Sequence, residues 1–310
     1  MTEPNPPRVA VIGEALIDRF SDADVIGGAP FNVARNLALL GAAPVMITRI
    51  GADALGDTIA ADFARLQMDT CGLQRDPAHA TGTVAVHMSG TQHTFEIDAD
   101  AAWDHLDANE AAQVIRASAP AVVYFGTLAQ RGAVSRAAIH AALGSSGAVL
   151  FLDLNLRDGP DNRSRAEDSL MRAQLVKVNE DELDQLTAWF VPAQKPTLRE
   201  AAESLLEHFD LQRLTITRGG DGWACLDRTQ GWLEGATPAV VVRDTVGAGD
   251  AFASVLLLGE LLGWALPTTL QRAGEYASAV CGIAGAVDPA SDIYAAARLA
   301  WGVAECKRPA

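Results

Sequence analysis

Short apolar runs alternate with stretches of helical period along this chain, and this alternation constrains its fold more than any other feature of the sequence. Between the runs, apolar residues recur every three or four positions, as in Val33, Leu37 and Leu40, so that one helix face can pack on a sheet. Strands that alternate with such helices predict an α/β fold with a mainly parallel, doubly wound sheet flanked by helices. The runs that suit buried parallel strands are residues 9–12, 45–50, 121–125, 149–154, 175–178 and 214–217.

Two segments break the alternation. Residues 82–97 have the pattern of a β-hairpin around Ser89-Gly90, and residues 14–26 show no helical period. Because a hairpin without a helix does not easily join a doubly wound core, we expect segments of about 14–28 and 82–98 to form a small separate β-sheet. Such a sheet could act as a lid. No repeat or linker divides the chain, so residues 1–310 are predicted to form a single α/β domain that carries this lid.

The charge balance narrows the classes of partner. The chain has 24 Lys and Arg against 39 Asp and Glu, a net charge of -15, which opposes binding to nucleic acid or to an anionic membrane. An anionic ligand must then be held by local groups, such as the backbone N–H groups at a helix start. The apolar runs are too short to span a membrane, the cysteines lack CxxC spacing, and the first 25 residues contain no apolar signal segment. These features predict a cytoplasmic protein.

The most informative motif is Asp-Thr-Val-Gly-Ala-Gly-Asp-Ala-Phe at residues 244–252, between a predicted strand at 240–242 and an amphipathic helix. Glycines there allow a tight turn that points the N–H groups of residues 247–250 at one spot, where the helix dipole favours an anion. Asp250 at the mouth of this cradle can take a proton from an attacking hydroxyl. The alternative is an ordinary strand-to-helix turn in which Asp250 caps the helix.

This motif resembles the C-terminal signature DTxGAGDxF of the PfkB-type, ribokinase-like carbohydrate kinases. Residues 27–34, Gly-Gly-Ala-Pro-Phe-Asn-Val-Ala, resemble the N-terminal signature GGxxxNxA of the same family. The resemblance continues through residues 153–157, 179–182 and 217–222, so it covers nearly the whole chain, and residues 13–18 are most similar to fructokinases. It implies a ribokinase-like fold and the transfer of the γ-phosphate of ATP to a sugar hydroxyl.

The resemblance also implies catalytic roles. Asp250 matches the base that deprotonates the sugar hydroxyl, and Gly247, Ala248 and Gly249 match the anion hole for the γ-phosphate. Phosphoryl transfer agrees with such a site, because it depends on positioning and on charge stabilisation more than on covalent help.

Five further residues match the nucleotide side of the family's site. Asn179 and Glu182 match an NxxE motif that arranges Mg²⁺, its water shell and the phosphates, with Glu182 acting through water. The same two residues could form a capping box at a helix start, and both interpretations can hold together. Thr217, Gly219 and Gly222 match the nucleotide loop, with an ordinary strand-to-hairpin turn as the alternative.

On the sugar side, Asp18 matches a carboxylate that binds sugar hydroxyls, and Gly28 and Asn32 match further sugar contacts. Asp18 could instead be a surface residue on a turn. Arg131 and Arg157 are the cations expected nearest to the pocket, with Arg157 the chosen substrate contact, although either could equally be a salt-bridged surface residue.

The same resemblance implies a site for a monovalent cation and the association of two chains into a dimer. Asp244 and Thr245 lie where many relatives bind a monovalent cation such as K⁺ through backbone oxygens. In the family such lids often pair between two subunits, so a homodimer through the lid is predicted.

The lid sequence bears on the acceptor. Its second hairpin carries Glu96, Asp98 and Asp100 rather than the cations that a phosphorylated sugar needs. The preferred acceptor is therefore a neutral sugar, D-fructose first. The alternatives are 2-keto-3-deoxygluconate, if Arg131 or Arg157 faces the pocket, another sugar, a nucleoside, or a non-catalytic sensor of sugar or nucleotide.

Overall fold

The apolar runs become the strands of one large sheet. The computed structural model describes residues 8–20, 23–89, 92–157, 159, 161–191 and 196–304. The strands are β1 (Val9–Ile12), β2 (Leu16–Arg19), β3 (Asp24–Gly27), β4 (Val45–Gly51), β5 (Leu73–Asp76), β6 (Thr83–Ser89), β7 (Gln92–Ile97), β8 (Val122–Phe125), β9 (Val149–Asp153), β10 (Leu175–Asn179), β11 (Arg213–Thr217), β12 (Trp223–Asp227) and β13 (Gly231–Gly235). The α-helices are α1 (Ala29–Leu39), α2 (Ala54–Arg65), α3 (Ala108–Ser118), α4 (Ala133–Gly144), α5 (Asn162–Leu170), α6 (Glu180–Phe190), α7 (Leu198–His208), α8 (Ala248–Leu262), α9 (Leu266–Cys281) and α10 (Ile293–Trp301).

The large sheet has nine strands in the order β13-β12-β11-β10-β9-β8-β1-β4-β5. Strands from β11 to β5 pair in parallel, and β12 and β13 extend one edge in antiparallel fashion. Alternate residues of β1 enter two different cores: Ala10 and Ile12 pack on one face of the sheet, and Val9 and Val11 pack on the other. Burial on both faces explains why these strands are continuously apolar. The predicted doubly wound, ribokinase-like α/β fold is confirmed.

The two segments that break the alternation form a separate four-stranded sheet in the order β3-β2-β6-β7. Two antiparallel hairpins, β2–β3 and β6–β7, are joined by parallel pairing of β2 with β6. Leu16 and Val84 form a small buried cluster where the hairpins meet. The expected small β-sheet is therefore present, and the turn at residues 90–91 lies outside the described residues.

The strand predicted at residues 240–242 is wrong. Residues 236–247 form neither helix nor strand, and the side chain of Val241 is 91% exposed. The backbone N–H groups of Arg243 and Asp244 donate to the carbonyl of Cys281, at the end of α9, at 2.8 and 3.2 Å. The segment is thus held by a helix end, and the apolar run does not mark a strand. No helix within the described part of the chain is long and apolar enough to cross a membrane.

Candidate active site

A cavity of about 790 Å³ lies at the carboxyl ends of the parallel strands, with walls from both sheets. Crevices at this edge are the usual ligand sites of doubly wound sheets. Almost every site residue predicted from the sequence lines this one cavity: Asp18, Gly28, Asn32, Arg157, Asn179, Glu182, Thr217, Gly219, Gly222, Thr245, Gly247, Ala248, Gly249 and Asp250. Asp244 is absent from the wall. Residues more than 200 positions apart in the sequence therefore meet around one space.

The start of α8 forms the predicted cradle. Gly247 has a φ of 79°, and a Cβ at this position would lie 2.3 Å from the Cβ of Ala286, so only glycine fits. Within the described residues, the N–H groups of Gly249 and Asp250 have no backbone acceptor, whereas that of Ala248 closes a turn onto the carbonyl of Thr245 at 3.3 Å. The prediction that four N–H groups converge freely thus needs correction, because one of them is engaged. The remaining groups still form a helix-terminal anion site.

Asp250 lies at the mouth of this cradle and is half-buried. Its Oδ2 accepts a hydrogen bond of 2.9 Å from Nδ2 of Asn32, a residue of α1. Burial, together with the charge of Asp153, raises the pKa of Asp250 to about 7, although the Asn32 hydrogen bond, Lys177 and Arg157 oppose this rise. A carboxyl group that titrates near neutral pH is well suited to accept a proton from a hydroxyl.

Two further carboxyl groups, Asp18 of β2 and Glu14 just before this strand, line the same cavity. Burial raises the pKa of Asp18 to about 6, against the opposing charge of Arg157. Asp18 lies so close to β3 that a Cβ at Gly27 would stand 2.1 Å from its Oδ2. Glu14, which the sequence did not single out, also lines the cavity, and burial raises its pKa to about 7. In the sequence, Glu14 could have been recognised by its position just beyond the end of β1, at the sheet edge where the ligand sites of such folds lie.

A buried ion pair that the sequence also missed lies beside the cradle. Lys177 Nζ lies 2.8 and 3.0 Å from the two carboxylate oxygens of Asp153, and the Tyr124 hydroxyl donates to Asp153 Oδ2 at 3.3 Å. Burial alone would lower the pKa of Lys177, but the charges of Asp153 and Glu182 outweigh it and raise the pKa. A Cβ at Gly249 would lie 3.4 Å from Nζ, so this ammonium group stands next to the anion cradle. In the sequence, the ion pair was indicated only by Lys177, a charged residue between the apolar residues of β10.

Asn179 and Glu182 form the capping box of α6. Asn179 Oδ1 accepts from the Glu182 N–H at 2.8 Å, and Glu182 Oε2 accepts from the Asn179 N–H at 2.9 Å. Glu182 Oε1 accepts a third bond, from the Leu156 N–H at 2.7 Å, and burial raises the pKa of this carboxyl group. The capping interpretation is confirmed, and both residues still face the cavity.

The loop between β11 and β12 supplies the next part of the wall. Gly222 has a φ of 95°, and a Cβ there would lie 2.1 Å from the carbonyl oxygen of Gly235. Thr217 ends β11, and its hydroxyl donates to the Val178 carbonyl at 3.3 Å. These residues and Gly219 form the tight hairpin turn that was the structural alternative, and they line the cavity as well.

The two predicted cations differ in position. Arg157 lines the cavity, and within the described residues no carboxylate lies at ion-pair distance from it. Arg131 lies outside the cavity wall, where Nε and Nη2 donate to the carboxylate of Asp104 at 2.9 and 2.7 Å and the guanidinium covers the ring of Trp103. The salt-bridge alternative therefore holds for Arg131, and Arg157 remains as the available cation.

Two acidic residues of the lid region are engaged locally. Asp98 accepts from the N–H and the hydroxyl of Thr83 at 3.2 and 2.5 Å, and Asp100 accepts from His105 at 2.6 Å. The small sheet contributes Leu16, Val84 and Ile97 to the cavity wall, and Asp18 is the acidic residue that it places there. Asp244 also has a structural role, since its carboxylate accepts from the N–H groups of Val246 at 3.0 Å and Gly285 at 2.9 Å.

Comparison with known proteins agrees with this geometry. The family model described as pfkB family carbohydrate kinase matches residues 8–293. The fructokinase of Klebsiella pneumoniae is 30% identical over 266 residues, which cover 81% of this chain and 84% of that protein. The crystal structure of a fructokinase with bound ATP from Xylella fastidiosa superposes with a TM-score of 0.78 at 23% identity, covering 95% of this chain and 99% of that one.

A fructokinase from Vibrio cholerae O395, solved in its fructose, ADP and calcium ion bound form, superposes with a TM-score of 0.76 at 23% identity. The superposition covers 94% of this chain and 99% of that chain. The family match includes both sheets, the cradle and nearly all of the cavity wall. The chain therefore belongs to the PfkB family of carbohydrate kinases, phosphotransferases whose acceptor is a sugar hydroxyl.

Proposed function

We propose that this kinase transfers the γ-phosphate of ATP to a hydroxyl of a neutral sugar, with D-fructose as the first candidate. The observation that carries the proposal is the position of Asp250, a half-buried carboxyl group whose pKa is raised to about 7, beside the free N–H groups at the start of α8. A base and an anion site at one point of a cavity are the two elements that phosphoryl transfer requires.

In this proposal Asp250 takes the proton of the attacking sugar hydroxyl. Asn32 holds the carboxylate through its 2.9 Å hydrogen bond and orients one oxygen, which leaves the other for the sugar. The N–H groups of the cradle that remain free, at Gly249 and Asp250 together with Gly247, stabilise the charge on the transferred group, whereas that of Ala248 is engaged by Thr245. Lys177 adds a positive charge beside Gly249. Asp18, Gly28 and Arg157 complete the sugar side of the site.

On the nucleotide side, we assign ATP to the wall formed by the β11–β12 loop, with Thr217, Gly219 and Gly222. The donor set fits Mg²⁺ held through water: both Glu182 oxygens accept backbone N–H groups, and their remaining lone pairs can still accept from a metal-bound water. When bound, Mg²⁺ would neutralise charge on the phosphates, while Asn179 fixes the start of α6.

A monovalent cation such as K⁺ at Asp244 and Thr245 stays part of the proposal. The carboxylate of Asp244 is used by two backbone N–H groups, but the expected ligands are backbone oxygens, and the Thr245 carbonyl, which accepts from Ala248, keeps a second lone pair.

The charges in the cavity favour a neutral acceptor. Glu14, Asp18 and Asp250 line it, against Arg157 as the cation that lacks an ion pair among the described residues. Support for fructose comes from the fructokinases among the relatives and from the fructose-bound Vibrio cholerae structure. Arg157 is the specific feature that favours the second candidate, an acid sugar such as 2-keto-3-deoxygluconate, because its guanidinium can pair with a sugar carboxylate.

We further propose that the chain acts as one domain whose small sheet is a lid, and that two lids pair in a homodimer. A lid over the cavity would exclude water and so limit ATP hydrolysis. The lid sheet ends in edge strands β3 and β7, which are available for pairing. Light scattering at micromolar concentration should give twice the chain mass; a mass of 32.6 kDa would contradict the dimer.

The decisive experiment is an assay of ADP release from Mg·ATP with fructose, ribose, 2-keto-3-deoxygluconate, nucleosides and fructose 6-phosphate as acceptors. Turnover should be highest with fructose and should be lost in Asp250→Asn. Preference for 2-keto-3-deoxygluconate would identify the second candidate instead. ATP binding without turnover on any acceptor would support the sensor alternative.

A further inference from the structure

Glu14 is a buried carboxyl group with an unused oxygen. The residue is 2% exposed, and Oε2 has no hydrogen-bond partner. It lies between β1 and β2, and it lines the same cavity as Asp18 and Asp250. Leaving a buried acceptor without a donor is unfavourable, so this position calls for an explanation.

Glu14 differs from the buried carboxylates that stabilise the fold. Asp153 accepts from Lys177 and Tyr124, and Asp62 accepts from Arg35 at 2.7 Å. Those groups are satisfied by the protein itself and have no need of a ligand. Glu14 has no side-chain partner of this kind. Burial raises its pKa to about 7, against the lowering effects of its own backbone N–H and of the charge of Arg157.

The backbone around Glu14 is tightly packed. A Cβ at Gly28 would lie 2.7 Å from the Glu14 carbonyl oxygen and 3.2 Å from the Cα of Ala15, so the end of β3 packs directly on this segment. The side chain therefore projects into the cavity from a fixed base. A fixed acceptor of this kind selects for ligands with a donor at one position.

The missing donor must come from the ligand at this end of the cavity. Phosphate oxygens are acceptors and cannot satisfy a carboxylate, whereas each hydroxyl of a polyol is a donor. Glu14 lies beside Gly28, and the charges that act on its carboxyl group are those of Arg157, Asp250 and Arg131 rather than any of the β11–β12 loop assigned to the nucleotide. The matching chemistry is a sugar hydroxyl.

We propose that Glu14 is a specificity-determining residue whose carboxyl group accepts a hydrogen bond from a sugar hydroxyl other than the one phosphorylated. This inference rests on the proposed sugar kinase function and deepens it. The site then requires donors at two positions, one for Asp18 and one for Glu14, in addition to the reacting hydroxyl. An acceptor deoxygenated at the Glu14 position is expected to bind poorly even though it keeps the reacting hydroxyl.

The test combines Glu14→Ala and Glu14→Gln with a series of monodeoxy analogues of the preferred sugar. Glu14→Ala should raise the sugar KM about 10- to 100-fold while the KM for ATP stays within about twofold, because a hydrogen bond to a charged group is lost. Glu14→Gln keeps one acceptor and should lie between Ala and the wild type. Glu207→Gln, an exposed carboxyl group on α7, is the matched control and should behave as wild type.

The analogues separate binding from a structural effect. For the one analogue that lacks the partner hydroxyl, wild type and Glu14→Ala should have the same KM, whereas for the others Glu14→Ala should raise it as it does for the parent sugar. An equal increase for every analogue, or an equal increase for ATP, would overturn the proposal.

A measurement on the wild type covers the case in which the variants do not fold. The ¹³C resonance of the Glu14 carboxyl group should shift on addition of sugar and not on addition of ATP; the absence of a sugar-induced shift would overturn the proposal. Wild-type turnover with an unchanged sugar KM in Glu14→Ala would remove the role of Glu14 and leave the kinase function standing. Absence of turnover and binding for every sugar would overturn both.

Discussion

Two groups of acidic side chains lie near the start of α8, and they differ in whether the protein itself supplies their hydrogen-bond donors. On one side Asp153 is held by Lys177 and Tyr124, and each of its oxygens has a donor. On the other side Glu14 has an unpartnered oxygen, and burial raises the pKa of Asp18 to about 6.

The difference shows where the protein is complete without a ligand and where it is not. Polar groups that satisfy one another fix a structure, whereas a partly satisfied group is unfavourable until something supplies its partner. The Asp153 side therefore supports the cradle, and the side of Glu14 and Asp18 is the one that the proposed sugar would complete with its hydroxyl groups. Asp250 stands between them, with one oxygen held by Asn32.

The largest effect should come from Asp250→Asn. The amide keeps the shape and can still accept from Asn32, but it cannot take a proton, so kcat should fall about 10²- to 10⁴-fold while ATP binding persists. Coupled ADP release and calorimetric ATP titration measure the two quantities. Asp184→Asn, an exposed change on α6, serves as the control. Wild-type turnover in Asp250→Asn would remove the base from the mechanism.

The variant Lys177→Met tests the side on which Asp153 is paired with a cation. It leaves Asp153 buried without its cation, and the free energy of unfolding should fall by about 3–5 kcal/mol in urea titrations. The double variant Lys177→Met with Asp153→Leu removes both charges and should recover at least half of that loss. If the single variant were as stable as wild type, the pair would not be what holds this side together.

The variant Asp18→Ala tests the other side, that of Glu14 and Asp18. Because a charged acceptor for sugar hydroxyls is removed, the sugar KM should rise about tenfold or more, whereas the KM for ATP should not change. Stability should not fall as it does for Lys177→Met, since Asp18 completes no buried ion pair. Initial-rate kinetics with each substrate varied in turn provide the measurement, and an unchanged sugar KM would exclude Asp18 from the site.

The smallest expected effect is a gain in the stability of Asp250→Asn relative to wild type, which grows as the pH rises. The pKa of Asp250 is raised from 3.8 to about 7, so the native state binds this proton more tightly than the unfolded chain does. The contribution of Asp250 to stability is therefore most favourable below pH 4 and declines as the pH rises to about 7. Relative to wild type, Asp250→Asn should gain about 2 °C or more in Tm between pH 5 and pH 8. A constant difference across this range would contradict the raised pKa.

The sequence predicted those parts of the molecule that depend on local pattern. The buried strands were visible because both faces of the sheet are covered, and the cradle was visible because Gly247 needs a positive φ that few residues adopt. The capping box of Asn179 and Glu182 is likewise set by a spacing of three residues.

What the sequence missed depends on partners that are distant along the chain. Arg131 and Arg157 are equivalent as residue types, and only the fold places Asp104 and Trp103 against one of them. Val240 to Val242 have the composition of a strand, but their neighbour is the end of α9 and no further strand lies beside them within the described chain. Lys177 was hidden for the same reason, since Asp153 lies on the adjacent strand.

The contact between Asn32 and Asp250 also sets an order of events during synthesis. The two residues are 218 positions apart, and at about 5–20 residues per second the ribosome needs on the order of 10 to 45 s to travel from one to the other. Over that interval the nascent chain contains Asp18 and Gly28 but neither the proposed base nor the cradle. Because α1 shares one hydrophobic core with α8, the proposed phosphoryl transfer can begin only after α8 has been synthesised and has docked on α1.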